Sequence, residues 1–210
     1  MVERNVVYSK PRRFPFKNIK KNDMLSLRQV SDLLKGQVIV EEKMDGKPKD
    51  FSNSSYIIFA EDMKKQHTLF YILPGRYAIF DIYDKKRNVF VFSEEKLELS
   101  NAIRGGKIKV DGVDPVLFFP TPTVTTGKFT MEELPKLIGL SAYAHDRETK
   151  ERMVMEGIVV KPDRDLFQEE FLSGKIVKAE FENGIKTHHL RMPARYNIIN
   201  PSFEVRVSLS

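Results

Sequence analysis

Three short segments combine lysines and carboxylates in patterns that suit chemistry on a phosphate group. They are EEKMDGK at residues 41–47, EGIVVKP at residues 156–162 and KIVKAEF at residues 175–181. A lysine amine attacks phosphorus only when it is uncharged, so its pKa, ordinarily about 10.4, has to be lowered by neighbouring positive charge, by a bound metal or by burial. Lys43 could be this nucleophile, with Lys175 and Lys178 as the neighbouring charges. Taken alone, Lys-x-Asp-Gly also suits a hairpin turn that carries an exposed lysine.

The alternation of side chains along a strand predicts which of these residues face the same site. On a regular strand Lys43 and Asp45 share a face, and Gly46 lets the backbone turn where a nucleotide would approach. Glu156 and Lys161 fall on opposite faces, so we expect Glu156 rather than Lys161 to serve a metal or phosphate site. The alternative for Glu156 is a carboxylate on an edge strand, exposed to solvent.

The two lysines of the third segment are three residues apart and cannot both point inward on a regular strand. Lys175 alternates with the apolar Val177 and Ala179, whereas Lys178 alternates with Glu180. We therefore prefer Lys178 as the phosphate ligand. Lys175 joins it only if a β-bulge or the start of the strand re-aims its side chain.

Taken together and in this order, the segments resemble motifs I, IV and V of the covalent nucleotidyltransferases, the superfamily of DNA ligases, RNA ligases and mRNA capping enzymes. The stretch AEDMKKQHTLFYILPGRYAIFDIYD at residues 60–84 resembles motifs III and IIIa of one group of ATP-dependent RNA ligases. The resemblance covers residues 41–181. It implies an α+β nucleotidyltransferase (adenylation) domain, with mainly antiparallel sheets flanked by helices, and the chain leaves no room for the oligonucleotide-binding barrel of many ligases.

The resemblance also implies a reaction. Lys43 would be adenylated by ATP in the presence of Mg²⁺ or Mn²⁺, and the AMP would then be used to seal 5′-phosphate to 3′-hydroxyl ends, of RNA in preference to DNA. The implied nucleotide-binding residues are Glu42, Asp45, Gly46, Glu61, Phe80, Glu156, Lys175 and Lys178. The implied metal ligands are Glu156 and Glu61, with Asp81 a less favoured alternative.

Two of these roles have simpler alternatives, and one family feature is missing. Phe80, the expected ring that stacks on adenine, would share a strand face with Ala78 and Ile82, which equally suits a core phenylalanine. These ligases usually carry an arginine of motif Ia between motifs I and III, but residues 47–59 contain none. Lys47 or Lys49 could replace its charge, although not its bidentate hydrogen bonding.

Other functions therefore stay open. A DNA ligase or a capping guanylyltransferase would share the first step. A nucleotide- or RNA-binding relative that no longer catalyses is suggested by the missing arginine and by the spacing of Lys175 and Lys178. In a purely structural interpretation, the glycine-containing segments are turns and the lysines are solvated.

Length and composition limit the number of domains, the kind of partner and the cellular compartment. A chain of 210 residues, 41% of them hydrophobic, predicts one domain over residues 1–210. The net charge of +6 favours a polyanionic partner but equally suits an ordinary charged surface. The absence of cysteine fits a reducing interior, and no apolar run approaches the roughly 18 residues that span a bilayer, so we expect a cytoplasmic protein without membrane contact. Residues 1–24 form a basic N-terminal segment, expected to be a solvated arm.

Periodicity predicts the elements that position these residues. Helices are expected at residues 26–35, 93–103, 130–143 and 165–172. Strands are expected at residues 37–42, 56–60, 77–83, 88–92, 115–119, 155–161 and 175–181. Because the strands are mostly not separated by regular helices, we expect a mixed α+β arrangement rather than a doubly wound parallel sheet.

Overall fold

The computed structural model describes residues 6, 8–16, 23–181 and 194–202. The helices are α1 (Leu27–Leu34) and α2 (Ser93–Arg104). The strands are β1 (Arg12–Arg13), β2 (Val38–Glu42), β3 (Lys47–Ser52), β4 (Tyr56–Asp62), β5 (Phe70–Leu73), β6 (Tyr77–Asp84), β7 (Val89–Phe90), β8 (Phe118–Pro120), β9 (Thr123–Gly127), β10 (Leu140–His145), β11 (Arg152–Val154), β12 (Gly157–Pro162), β13 (Leu166–Phe167), β14 (Gly174–Val177) and β15 (Ile198–Ile199).

The strands form three sheets of an α+β fold. The first sheet has the order β1-β14-β12-β2-β9, the second β13-β7-β6-β4-β3 with β8 beside β6, and the third β11-β10-β5-β15. Most pairs are antiparallel; β1 with β14, β5 with β15 and β6 with β8 are parallel. Among the described residues, none of the sheets closes into a barrel. The expectation of a mixed fold with mainly antiparallel sheets is confirmed.

One face of the first sheet packs on α1. Ser26 caps α1 by accepting a hydrogen bond from the Gln29 amide, and the Gln29 side chain accepts from the Ser26 amide in return. Val30 and Leu33 of α1 are buried in a core that includes Val38 and Val40 of β2 and Ile158 and Val160 of β12. The alternate residues of β2 and β12 consequently face the other side, toward the second sheet.

The second sheet is held from behind by α2, which packs against β8 and β6. Its core contains Ile58, Ile79, Ile82 and Ile103. Pairing between β4 and β6 shifts by one residue, because Phe59 pairs with Asp81 whereas Ala60 pairs with Ile79. Phe80 is thus the extra residue of a β-bulge.

Five predicted elements are wrong or too long. The strand predicted at 115–119 is a 3₁₀ helix (Pro115–Leu117) followed by β8, and the strand predicted at 88–92 is reduced to β7. Residues 130–143 form a short 3₁₀ helix (Leu134–Leu137) followed by β10, since Pro135 supplies no amide hydrogen for a longer α-helix. Residues 165–172 form β13 and a 3₁₀ turn (Gln168–Glu170) instead of a helix. The strand predicted at 175–181 ends at Val177, and residues 179–181 are helical.

The described part of the basic N-terminal segment is not a solvated arm. β1 pairs with β14, and Phe14 has no exposed surface. Lys17, Lys20 and Lys21 lie outside the described residues. In the parts of the chain that the structure describes, no helix is long and apolar enough to span a bilayer.

Candidate functional site

A cavity of about 510 Å³ lies between the first and second sheets. Residues of β2, β12 and β14 line it on one side, and residues of β3, β4 and β6 on the other. Volumes of this size are typical of small-molecule sites. The predicted site residues that line it are Glu42, Lys43, Glu61, Phe80 and Lys175. Residues far apart in the sequence therefore converge on one cavity.

Lys43 follows β2 directly and continues its alternation, so its side chain shares the cavity face with Glu41. Its backbone amide donates to the carbonyl of Gly157, which holds the end of β2 against the start of β12. Its ammonium donates to Glu156 Oε1 at 2.7 Å, and 23% of the side chain is exposed. The amine is thus partly open to the cavity while in contact with a carboxylate.

Glu156 reaches Lys43 from a position just before β12. Glu156 and Lys161 were expected on opposite faces of one strand. Side chains do alternate within β12, where Val160 faces the core and Lys161 faces the cavity. This alternation does not apply to Glu156, because that residue precedes the strand. Lys161 lines the cavity, but its ammonium is engaged by Glu41 and Asp81, and the preference for Glu156 as the metal or phosphate ligand stays a prediction. Burial, with the nearby charge of Asp45, raises the pKa of Glu156, although the ammonium of Lys43 opposes this.

Glu61 on β4 brings a second carboxyl toward the same amine. Burial raises the pKa of Glu61 to about 7, and the charges of Lys43 and Lys10 counteract part of this effect. Glu61 Oε2 and Glu156 Oε2 are buried and accept no hydrogen bond from any described residue. Two acidic side chains therefore each keep one unsatisfied oxygen near Lys43.

Phe80 lines the cavity because of the bulge in β6. Its ring is partly buried and packs against Tyr8, with 5.0 Å between ring centroids. The sequence placed Phe80 on the same face as Ile82. That was wrong, because the extra residue in the strand turns Ile82 toward α2 and leaves Phe80 facing the other way.

A buried ionic cluster lies behind Phe80. Lys161 Nζ is 2.6 Å from Glu41 Oε2 and 2.9 Å from Asp81 Oδ1, and Lys96 also pairs with Glu41. The carbonyl of Phe80 accepts from both lysines, at 2.7 Å from Lys161 and 3.2 Å from Lys96. Burial alone would lower the pKa of Lys161, but the charges of Asp81 and Glu41 raise it above its ordinary value. The sequence did not predict this cluster. Its members lie on different strands and on α2, and the pattern of one strand does not show which buried charges of other elements it contacts.

The other residues of the first motif have structural partners. Glu42 is buried and accepts hydrogen bonds from Ser141 Oγ and the Ala142 amide; burial raises its pKa although these donors oppose the shift. Asp45 Oδ2 accepts from the Thr68 amide at 2.9 Å. Gly46 is needed for close approach, because a Cβ there would lie 2.9 Å from the carbonyl oxygen of Asp62.

Of the two lysines predicted to bind phosphate, Lys175 lies at the cavity and the preferred Lys178 does not. Lys175 lines the cavity and is 3.4 Å from Asp23, whereas Lys178 forms an ion pair with Glu180 at 2.7 Å and does not line the cavity. Burial lowers the pKa of Lys175, and the charges of Arg13 and Lys43 add to this effect although Asp23 opposes it. Of the two lysines considered for the missing arginine, Lys49 lines the cavity and Lys47 does not.

The described residues contain no group of three acidic, histidine or cysteine side chains arranged around a point where a metal could bind. A Mg²⁺ ion commonly uses only one or two carboxylates and takes its other ligands from substrate phosphates and water. The unsatisfied oxygens of Glu61 and Glu156 fit this pattern. Asp81 does not, because both of its oxygens are engaged by Lys161 and Tyr8.

Comparisons of the chain with protein-family models, with curated proteins and with solved structures found no match. A proposal about function therefore depends on the geometry of the cavity.

Proposed function

We propose that the chain is the nucleotidyltransferase domain of an ATP-dependent polynucleotide ligase, of the RNA-ligase type, and that Lys43 is its nucleophile. The observation that carries the proposal is the contact between Lys43 and Glu156 at the wall of a nucleotide-sized cavity. Glu61, Phe80 and Lys175, predicted from separate parts of the sequence, line the same cavity. A purely structural role for the lysine does not account for this convergence.

In the proposed first step, the Lys43 amine attacks the α-phosphorus of ATP, a P–N bond forms, and the P–O bond to pyrophosphate breaks. The Lys43 ammonium has to lose one proton to become nucleophilic, and the nitrogen loses a second proton once it is bonded to phosphorus. Glu156 is already hydrogen-bonded to it, and burial has raised the pKa of this carboxyl, so it is placed to accept a proton. Lys175 lies where it could offset negative charge on the phosphates.

Other residues bind and orient the nucleotide. Phe80 offers an aromatic ring for the base, and the carbonyl bonds from Lys161 and Lys96 hold its backbone in place. Glu61, together with Glu156 while that carboxyl is ionised, would hold Mg²⁺, which when bound neutralises phosphate charge and polarises the reacting phosphoryl group. The AMP would then pass to a 5′-phosphate end, and attack by a 3′-hydroxyl would release it and seal the strand.

The test is covalent labelling with α-labelled ATP and Mg²⁺. Wild type should give a labelled band that survives denaturation, and Lys43→Ala should give none. Lys35→Ala is the matched control, because Lys35 is an exposed lysine at the end of α1 and does not line the cavity. Absence of label in wild type, or equal label in Lys43→Ala, contradicts the proposal.

Two further comparisons define the activity. Labelling by GTP instead of ATP would indicate a capping enzyme. Sealing of nicked DNA but not RNA by the labelled protein would indicate a DNA ligase. ATP-dependent thermal stabilisation without any covalent label would indicate a relative that binds the nucleotide but does not catalyse.

A further inference from the structure

We propose that residues 8–16 form a strap across the cavity, in which Lys10 binds the phosphates of the nucleoside triphosphate and Tyr8 is a positioning residue that fixes the strap. The inference rests on the proposed nucleotide site. It assigns to that site a segment that lies outside the resemblance at residues 41–181, and a cation that none of the sequence motifs contains.

The strap is fastened to the second sheet by Tyr8. The Tyr8 ring packs against Phe59, Phe80 and Phe171, with centroid distances of 5.0, 5.0 and 5.2 Å. Its hydroxyl donates to Asp81 Oδ2 at 2.8 Å. Burial and the charge of Asp81 raise the pKa of Tyr8, so the hydroxyl keeps the proton that it donates. Tyr8 therefore connects the strap to both the aromatic ring and the ionic cluster of the site.

The other end of the strap is fastened to the first sheet. Arg12 and Arg13 pair in parallel with Gly174 and Lys175 of β14. Phe14 then enters the α1 core with no exposed surface, directly over Gly174, where a Cβ would lie 2.3 Å from the Phe14 ring. Because the two anchors lie on different sheets, the residues between them have to cross the space that the sheets enclose.

Lys10 and Pro11 are in this crossing and line the cavity. Lys10 makes no ion pair or hydrogen bond with any residue that the structure describes, unlike Lys43, Lys161 and Lys175, which each contact a carboxylate. Its charge nevertheless acts on Glu61, where it offsets part of the rise in pKa that burial causes. A cation beside the cavity that has no partner among the described residues is available to a multiply charged anion, and a triphosphate is the substrate that the site is proposed to bind.

The strap also adds a cation to a site in which residues 47–59 supply no arginine and, of the lysines that the structure describes in that range, only Lys49 reaches the cavity. Lys10, Lys43 and Lys175 reach the cavity from three separate segments, the strap, the end of β2 and β14. Removing the strap would leave Lys43, Lys161 and Lys175, each already paired with a carboxylate. It would also leave Lys49, whose ammonium lies over the rings of Phe51 and Tyr77. Phosphate affinity therefore depends on the strap lying in place.

The experiment measures the initial rate of self-labelling against ATP concentration, with no nucleic acid present. Lys10→Ala should raise the half-saturating ATP concentration about tenfold or more, the usual loss for one charge-assisted hydrogen bond, with little change in the maximal rate. Lys10→Arg keeps the charge and should recover most of the affinity. Lys35→Ala removes the same charge away from the cavity and should match wild type.

The positioning role of Tyr8 is tested by combining its substitution with that of Lys10. Tyr8→Ala should raise the half-saturating ATP concentration as Lys10→Ala does, and the double variant should lose little more than either single variant, because both changes remove the same phosphate contact. Full additivity would contradict a positioning role. Thermal unfolding without nucleotide verifies that each variant is folded.

The outcomes separate this inference from the proposed function. If wild type is labelled and Lys10→Ala has the same half-saturating ATP concentration, the strap inference fails and the ligase proposal stands. If Lys10→Ala impairs only transfer of AMP to a 5′-phosphate end, Lys10 serves the acceptor and the inference is wrong. ATP-dependent thermal stabilisation, compared between Lys43→Ala and Lys10→Ala/Lys43→Ala, tests the same contact without chemistry; equal stabilisation, or none in either, overturns it.

Discussion

Phe80 and Asp81 are neighbours in the chain, yet both side chains lie on the face of the second sheet that is turned toward the first. Phe80 lines the cavity, and Asp81 accepts from Lys161 of β12 at 2.9 Å. The residues on either side, Ile79 and Ile82, both face the α2 core. The bulge opposite Phe59 and Ala60 makes this possible, and it gives one short segment both an aromatic ring in the cavity wall and an acid for the ionic cluster beneath it.

If Phe80 stacks on the base, its loss should weaken nucleotide binding. Phe80→Ala is expected to raise the half-saturating ATP concentration for self-labelling about tenfold, since base–aromatic stacking contributes roughly 1–3 kcal/mol. Phe167→Ala is the control, because Phe167 is 51% exposed and does not line the cavity. An unchanged ATP dependence in Phe80→Ala would assign Phe80 to the aromatic core alone.

Lys161 holds two buried carboxylates, so its removal should be costly. Lys161→Met leaves Asp81 without its cation and Glu41 with only Lys96. Breaking a buried pair in this way costs about 3–5 kcal/mol, and we expect a loss of that size in the free energy of unfolding by urea. Lys178→Met breaks the partly exposed pair with Glu180 and should cost no more than about 1 kcal/mol. Similar small losses in both variants would rule out a stabilising role for the cluster.

The sequence predicted the elements whose signals are local. The 26–35 helix was found from its spacing and cap, and β2, β4 and β6 from their β-branched and aromatic runs. Residues 130–143 misled because Thr130 and Glu133 do form the cap-like bond, at 2.7 Å, but Pro135 stops the helix from continuing. Local sequence patterns thus identified where an element begins better than where it ends.

The site was predicted less completely than the fold, because its contacts join distant segments. Lys43 lines the cavity, but Asp45, expected to share its strand face, lies beyond the end of β2, accepts from the Thr68 amide and does not line the cavity. Strand alternation also failed for Phe80, where a bulge changes the faces, and for Lys178, where the strand has already ended. Tyr8 had no local signal, and Lys10 was assigned to a solvated basic segment, because the position of both residues depends on how residues 8–16 cross between the sheets.

Gly46 is expected to tolerate no side chain. In Gly46→Ala the new Cβ would lie 2.7 Å from Met63 Sδ and 2.9 Å from the carbonyl oxygen of Asp62, so β3 would have to shift away from β4. We expect a loss of about 1–3 kcal/mol in unfolding free energy and weaker self-labelling, because Lys43 lies three residues away. Gly36→Ala, with no heavy atom within 4 Å of the new Cβ, should be nearly neutral. Equal stability of the two variants would refute the close-approach argument.

Glu61 should make stability depend on pH. Burial of its carboxyl raises the pKa of Glu61 from 4.5 to about 7 in the folded protein. Between these values the folded protein holds a proton that the unfolded chain has released, so the contribution is fully present below pH 4.5 and is lost as pH rises through about 7. At 1.36 kcal/mol per pKa unit, the loss should approach about 3 kcal/mol.

The measurement is the free energy of unfolding by urea at several pH values between about 4.5 and 8, for wild type and Glu61→Gln. The difference isolates Glu61, because glutamine keeps the shape of the side chain without titrating and the other groups are common to both proteins. Wild type should lose stability relative to the variant as pH rises. Glu133→Gln is the control, since Glu133 lies at an exposed turn and the Thr130 amide lowers its pKa below 4.5; its contribution changes mainly below the measured range, so its difference from wild type should stay nearly constant. A pH-independent difference between wild type and Glu61→Gln would mean that this carboxyl is ionised in the folded protein throughout the range, and that it does not need a bound cation to lie in the cavity as an anion.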